Sequence, residues 1–530
     1  MATVANQLTR IHDAEGTLTT ANWPSGGGTG GANTDIFLQG SQSLGKRQTT
    51  TGTAAGFILE DAANNNCSAA DVHVGLWFWV TQYAILDDVK LGFASNTGSP
   101  TNFDSHNFDF ANEYPSLGGW VRAWVDISRT PDATGGTGLD EAALRTYGIQ
   151  VSFTTSPGGT SPNVILDAAD FTDGTAALDL TGTSGVWSDF STADANTTNQ
   201  YGVFRLINGV YFCYARVQLG TSGSSLVFND SNFTIIFPNQ SLVATTFMGV
   251  TVDLGNASTN IDWTNGVIRS AGAKKGDLQV TGTSGAFDTS GMTFLALREV
   301  VLTSVCNIVG GSFIECGLIT AGGADLVGVN IVRSTATSAI SVANLSQIDE
   351  CVFTSDGTGH AVNLGTISSS ITMTWNCTDS GYAGTNGSTG NETILVNVAS
   401  SQTLTINVSD GATTPTYYNT GAGSVSVVSG QATLTITVVD VITGDPIQNA
   451  RVYVTAAAGG GMTVGDVIID KVLTDVDGEA SDTRSYGSNQ PITGRVRKSS
   501  ASPYYKESPI AGTVNSSSGL ALTIQMIPDE

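Results

Sequence analysis

Gly249-Val250-Thr251-Val252, Gly266-Val267-Ile268, Met292-Thr293-Phe294, Gly311-Ser312-Phe313, Asn330-Ile331-Val332 and Val352-Phe353-Thr354 are six returns of one short apolar strand signal. With Val250, Ile268, Phe294, Phe313, Ile331 and Phe353 as core positions, the steps are 18, 26, 19, 18 and 22 residues. Gly249, Gly266, Gly311 and Asn330 precede four of these cores, and glycine and asparagine tolerate the backbone angles of a sharp corner. A period of about twenty residues with strand-forming side chains and no helical spacing predicts a parallel β-helix, each coil stacked on the last. Phe313 should then point inward, between Phe294 and Ile331, while Ile314 and Val332 face out. A leucine-rich repeat needs Leu-x-x-Leu-x-Leu followed by Asn or Cys, and a propeller blade needs about 40 residues, so neither fits.

The rest of the composition agrees with stacked β-structure. Of 530 residues only 13% are charged, and Lys plus Arg number 21 against 46 acids, a net charge of −25 with no long basic run. Phosphate-driven binding to nucleic acid is not expected of such a chain. The opening MATVANQLTR lacks the apolar core of a signal peptide, and the longest apolar run, Gly75 to Leu86, is too short to span a bilayer. The expectation is a protein that is neither exported by that route nor inserted in a membrane. Cys67, Cys213, Cys306, Cys316, Cys351 and Cys377 are too sparse for a disulfide framework and show no ligand spacing, so they read as small buried side chains. No cofactor is implied.

Residues 1–172 read as an antiparallel sandwich. After a Gly-rich loop at Gly26 to Gly31, strand signals fall at Gly56–Glu60, Val72–Val80, Val89–Phe93, Trp120–Ile127, Gly148–Phe153 and Asn163–Leu166. In the second, Val72, Val74, Leu76, Phe78 and Val80 share one face and His73, Trp77 and Trp79 the other; in the fourth, Val121, Ala123, Val125 and Ile127 oppose Trp120, Arg122 and Trp124. Asp140 to Thr146 is the one helical candidate. The runs Trp120 to Ile127, Gly148 to Phe153 and Val164 to Asp167 resemble the late strands of jelly-roll modules in carbohydrate-binding proteins, a likeness that carries no ligand residues across. Trp77, Trp79, Trp120 and Trp124 are the candidate ligand-binding residues, because an indole covers the apolar face of a pyranose and its N–H reaches a hydroxyl. The competing expectation is that this face packs on a second sheet or a neighbouring subunit. His12, His73 and His106 are isolated in the sequence, and no metal site is expected.

Residues 173–427 read as the β-helix with capping coils, beginning with strands at Gly202–Ile207, Tyr211–Val217 and Thr234–Phe237 and ending with Ile394–Val398 and Leu404–Val408. Some β-helices are polysaccharide lyases or hydrolases, which makes stacked carboxylates the feature to seek. Aligning Phe313, Ile331 and Phe353 places Glu315, Arg333 and Ser355 in one column, and Asp349 and Glu350 find no acid in the two preceding coils. Glycoside hydrolysis needs two carboxylates about 5–10 Å apart, so no catalytic residues are expected.

Residues 428–530 form a separate module. Thr433–Asp440, the turn Thr443-Gly444-Asp445-Pro446, Ala450–Thr455, Lys471–Leu473 and the turn Asp475-Val476-Asp477-Gly478 resemble immunoglobulin-like modules of bacterial surface and tailed-phage virion proteins. Asp475 and Asp477 lack the further ligands of an EF-hand loop, so a hairpin turn is expected there.

A sandwich, a β-helix and an immunoglobulin-like tail in one chain resemble the build of a tailed-bacteriophage virion appendage. Ala5 to Gly16 and Phe37-Leu38-Gln39-Gly40-Ser41 also resemble the start of phage structural proteins. The resemblance implies a non-enzymatic structural component made in the host cytoplasm and exposed on the virion as a fibre, spike or decoration. Other virion proteins, a bacterial surface glycan and further copies of the chain, a homotrimer by analogy with phage spikes, would be its partners. A tailspike-like enzyme degrading surface polysaccharide and a purely structural capsid decoration protein are the alternatives.

Overall fold

A computed structural model of the protein describes residues 2–15, 29–47, 54–69, 72–97, 100–110, 119–157, 163–172, 176–194, 202–382, 384–387, 390–409, 412–486, 488–516 and 518–529. Strands dominate, and Trp187–Asp194 is an α-helix that the sequence reading did not anticipate. The chain forms two compact units, residues 1–320 and 321–530.

The first unit contains an antiparallel sandwich. One sheet has the order Ala133–Gly135, Phe103–Phe108, Leu86–Ala94, Leu144–Phe153, Ala54–Asn65; the other runs Thr29–Asn33, Ser43–Arg47, Val164–Thr172, His73–Val80, Val121–Asp126, with Thr9–His12 also on Val164–Thr172. Val74, Leu76, Phe78, Val121, Ala123 and Val125 are fully buried, as are Val89, Leu91, Phe93, Ile149 and Val151 of the other sheet. Each large apolar side chain so buried contributes about 1.5–3 kcal/mol. Thr9–His12, Thr29–Asn33, Ser43–Arg47 and Ala133–Gly135 carry too little apolar alternation to be read as strands from sequence. Asp140 to Thr146 is not an α-helix: Asp140 caps a single 3-10 turn, accepting from the Ala142 N–H at 3.1 Å, and the chain extends from Leu144. Of the expected Gly-rich loop, Gly26 to Gly28 lie outside the described residues, and Gly30 and Gly31 belong to the strand Thr29–Asn33.

The two opening segments singled out in the sequence are packed together. Glu15 accepts from the Ser41 N–H at 2.6 Å, the Ser41 hydroxyl at 2.7 Å and the Gln42 N–H at 3.1 Å, and Gln39 donates to the Asp13 carbonyl at 3.3 Å. Gly40 sits in the left-handed region at φ 66°, and a Cβ there would run into the Glu15 carboxylate.

The remainder of the first unit is a three-faced parallel solenoid, bearing out the β-helix. Along one face run Leu178–Gly182, Arg216–Leu219, Gly249–Asp253, Asp277–Thr281, Val300–Val301 and Ile319–Thr320. A second carries Ser184–Gly185, Val227–Ser231, Asn260–Thr264, Ala286–Ser290 and Cys306–Val309, and a third Val210–Cys213, Thr234–Phe237, Val267–Ser270, Thr293–Leu295 and Ser312–Ile314. Ile235, Ile268, Phe294 and Phe313 form one inward column of the third face, and the Phe294 and Phe313 rings stack at 4.7 Å. Val250 is buried but belongs to the first face, between Val217 and Leu278. Its spacing to Ile268 is therefore a step within one coil. The expected strand Tyr211–Val217 breaks at Tyr214 into two strands on different faces.

The corner between the second and third faces explains the glycines and asparagines. Asn232, Asn265, Gly291 and Gly310 occupy it with φ of 56°, 53°, 65° and 63°, the left-handed region that asparagine and glycine enter at least cost. Their N–H groups climb the solenoid: Asn232 donates to Thr264 O, Asn265 to Ser290 O and Gly291 to Val309 O, at 2.8–3.0 Å. Gly266 is needed for a different reason, since a Cβ would lie 2.7 Å from the Phe233 ring and 2.9 Å from the Met292 sulfur.

Open solenoid ends expose unpaired backbone and core. Here the strand Ala2–Asn6 pairs antiparallel with Leu178–Gly182, so the first residues belong to the solenoid sheet and not to the sandwich. Helix Trp187–Asp194 plugs the interior, with Trp187 5.0 Å from Phe228, 5.5 Å from Trp263 and 5.6 Å from Phe204.

The second unit has the same three-faced start. Ile331 pairs with Phe353 in its inward column, followed by Asp379, and Ser338–Ser341, His360–Ile367, Ile394–Val398 and Tyr417–Asn419 line another face. Ser424–Asp440 is a single 17-residue strand. Its first part pairs in parallel with Thr403–Ser409, whereas Gln431 to Thr437 pair antiparallel with Glu479–Ser485 and Leu434 to Asp440 pair in parallel with Leu520–Met526. Solenoid and C-terminal module thus share one strand, and the expected boundary at 427/428 runs through it. A second sheet, Val467–Leu473, Arg451–Ala456, Gln490–Lys498 and Tyr505–Val514, completes the module over a core that includes Leu434, Ile436, Val452, Val454 and Val496. Asp475 accepts from the N–H of Asp477 at 3.0 Å and of Glu479 at 2.9 Å, a tight turn with Gly478 at φ 76°. The strands it joins, Val467–Leu473 and Glu479–Ser485, lie in different sheets, so the turn links two sheets where a hairpin was expected. All six cysteines are buried and free, and no helix among the described residues is long and apolar enough to cross a membrane.

Candidate functional site

The outward face of the sandwich sheet holds the four candidate tryptophans, and the structure divides them. Trp77 and Trp124 are fully buried, with 0% exposure, whereas Trp79 and Trp120 are half-buried. The cover comes from the solenoid. Arg205 lies 4.9 Å above the Trp77 ring, and a Cβ on Gly202 would fall 1.5 Å from that ring. Phe247 packs edge-on against Trp124 at 5.1 Å and stacks on His73 at 3.9 Å. Packing on a neighbouring layer is thus the correct account of this half of the face, and Trp77 and Trp124 offer no surface to a sugar. Trp79 and Trp120 remain as a tilted indole pair 6.1 Å apart.

Polar groups seal the same junction. Val121–Asp126 is an edge strand, and residues 240–244 act as its neighbour. The Gln240 side chain accepts from the Trp124 N–H at 3.2 Å and donates to the Arg122 carbonyl at 3.2 Å, the Asp126 N–H donates to the Leu242 carbonyl at 2.9 Å, and the Ala244 N–H donates to His73 Nε2 at 3.2 Å. Beneath them Arg122 pairs with Asp170, both with fully buried side chains, and the guanidinium lies 4.2 Å over the Trp124 ring. Gly75 sits between the two partners on the intervening strand, and a Cβ there would lie 2.2 Å from the guanidinium. The ion pair exists because that strand has a gap.

Asp167, the last residue of the Val164-to-Asp167 motif, is buried in the strand Val164–Thr172 where its register shifts between Leu166 and Ala169, and accepts from the N–H groups of Leu38 at 2.7 Å and Gln39 at 3.4 Å. Burial pushes its carboxyl from 3.8 up to about 7, against the opposing pull of those N–H groups. The folded state therefore binds a proton more tightly than the unfolded chain, and stability present below about pH 4 is lost as pH rises through 7, by roughly 4 kcal/mol for the full shift. Asp167→Asn should remove that slope. Urea unfolding of both proteins between pH 4 and 8 tests it; identical pH slopes would exclude Asp167 as the source.

The solenoid contains an arrangement that the sequence alignment missed. On the second face, Asn229, Asp262, Asp288 and Asn307 occupy one outward row, with Asp262 directly beside Asp288 on the next coil. The expectation that no carboxylates stack is corrected here. Neighbouring strands lie about 4.8 Å apart, which puts the pair near the separation of a retaining glycosidase. Asp262 is exposed and Asp288 half-buried. Asp349 and Glu350 are exposed at the surface of the second unit, and Asp349 accepts from the Asn376 amide. No group of three or more His, Cys, Asp or Glu among the described residues is placed to hold a metal ion.

No family model matches the chain, and no curated protein matches it. Among solved structures, one similar to this chain is the family 11 carbohydrate-binding module from Clostridium thermocellum in complex with a β-1,3-1,4-mixed-linked tetrasaccharide, at 12% identity and a TM-score of 0.22, over 32% of this chain and 96% of that one. PfGH50B is similar at 9% identity and a TM-score of 0.18, over 28% of this chain and 23% of that one.

Proposed function

We propose that this chain is a structural component of a tailed-phage virion, a rigid exposed appendage, trimeric by analogy with phage spikes, that contributes to attachment to a host-surface glycan without turning it over. The observation that carries the reading is continuity of build. In the first unit the sandwich is sealed onto the solenoid through a buried, hydrogen-bonded junction, and in the second one strand serves both solenoid and C-terminal module. Each coil is held by its neighbours, which suits an element exposed outside a cell. The resemblance of the modules to those of phage virion proteins supports the setting, and the half-exposed Trp79 and Trp120 pair is where a sugar ring would stack. Imaging of intact particles with this chain labelled is the test. Trp79→Ala with Trp120→Ala should reduce particle adsorption about tenfold while leaving the fold intact, and a chain absent from purified particles ends the proposal.

The Asp262 and Asp288 row favours a second reading, a depolymerase of surface polysaccharide. Release of oligosaccharides from host envelope by the purified protein, abolished in Asp288→Asn, would establish it in place of the first.

A further inference from the structure

We propose that the C-terminal module carries a binding site for an acidic polysaccharide, a chain of sugar rings bearing sulfate or carboxylate groups, in the depression lined by Arg451, Tyr453, Lys471, Arg495 and Arg497. The site follows from strand register. Arg451–Ala456 pairs antiparallel with Gln490–Lys498, placing Arg451 opposite Arg497 and Tyr453 opposite Arg495. With side chains alternating across the sheet, Val452, Val454 and Val496 fill the core and these four face outward. On the other side of Arg451–Ala456 the register slips between Val452 and Val454. Lys471 sits at that slip in the left-handed region, φ 57°, with its ammonium 6.0 Å from the Tyr453 ring.

Folding gives no reason for this convergence. The chain holds 21 cationic residues against a net charge of −25, yet four of them surround one tyrosine. Like charges directly opposite on paired strands destabilise a sheet, and neither Arg451 nor Arg497 has a carboxylate partner among the described residues. Lys471 with Asp470 at 3.5 Å and Arg495 with Glu507 at 4.0 Å are pairs whose side chains are 49–69% exposed, open to screening and exchange. An anion seated between the guanidiniums would relieve the repulsion that the sheet otherwise carries.

The shape and the ring narrow the ligand. The depression is about 310 Å³, at the lower end of small-ligand sites and of a size for a sugar unit with its charged substituent. Guanidinium forks match carboxylate and sulfate oxygens two at a time. The flat Tyr453 face, half-buried between them, suits the apolar side of a pyranose, which a bare chain of phosphates does not possess. This site is distinct from the Trp79 and Trp120 pair and does not depend on the virion reading.

The test titrates the full-length protein with dextran sulfate, uncharged dextran and polyphosphate at matched charge. Dextran sulfate should bind, dextran should not, and polyphosphate should bind more weakly per charge. Arg451→Gln with Arg497→Gln should lower dextran sulfate affinity at least tenfold without lowering Tm, since it removes a repulsion. Tyr453→Ala should weaken dextran sulfate several-fold and leave polyphosphate unchanged. Trp79→Ala with Trp120→Ala should bind dextran sulfate like the parent, which separates this site from the sandwich. Unchanged dextran sulfate binding in the double arginine variant, or polyphosphate binding equal to dextran sulfate, overturns the proposal.

Discussion

Trp124→Ala should destabilise the protein by about 3–5 kcal/mol, and Trp77→Ala by a similar amount, the usual cost of emptying a large buried aromatic site. The space each ring fills is bounded by groups that cannot collapse into it. Around Trp124 these are the Arg122 guanidinium, itself paired to Asp170, and Phe247, whose ring is stacked on His73. Around Trp77 they are Arg205 and the backbone at Gly202. Because both rings lie between sandwich and solenoid, their loss should loosen the two layers together and lower a single unfolding transition. Urea denaturation followed by tryptophan fluorescence measures this, with Trp79→Ala as the half-exposed control, expected to cost far less. Parent-like stability of Trp124→Ala together with lost glycan binding would mean that the face is open, contrary to the structure.

That division of the tryptophans shows where sequence reading stops. Alternation placed Trp77 and Trp79 on one face, because period two is a local property of a strand. Which half of the face is covered depends on Gly202, Arg205, Gln240 and Phe247, distant in the chain, and no local pattern announces such a partner. The solenoid shows the same limit. Ile268, Phe294 and Phe313 were legible as one column because apolar residues recur after flexible corners. Val250 was placed in it wrongly, since an inward residue on any of the three faces gives the same signal. The Asp262 and Asp288 row escaped because it lies in earlier coils than those aligned, and coil length falls from 33 residues between Ile235 and Ile268 to 26 and then 19 by Phe313. Turn chemistry was more dependable. Asp475 and Gly478 fix their turn through hydrogen bonds within five residues, so the turn could be read without knowing the fold. The pairing of the strands beside it could not, since they go to different sheets and form no hairpin.

The second large effect is expected at Asp277, whose carboxylate is completely buried on the first face of the solenoid. Arg216 and Asp277 stand two coils apart in one register row, with Gly249 between them. The guanidinium crosses over that glycine to reach the carboxylate at 2.7 Å, and Arg298 pairs with the other carboxylate oxygen. Arg216 also donates to the Thr246 carbonyl at 2.8 Å and to Thr251 Oγ1 at 3.2 Å. The device repeats that of Arg122, Gly75 and Asp170 in the sandwich: a cation, a gap and an anion on three successive strands. Removing the anion leaves a buried guanidinium without its counter-charge, so Asp277→Ala should cost about 3–5 kcal/mol. Gly249→Ala should be harmful without touching either charge, since the new Cβ would lie 2.3 Å from the Asp277 carboxylate and 2.8 Å from its backbone carbonyl. Arg216→Met in the Asp277→Ala background should add little further loss, because both changes break the same pair. Unfolding free energies of the two single variants and the double variant close the cycle, and strictly additive losses would show that the charges do not meet across Gly249.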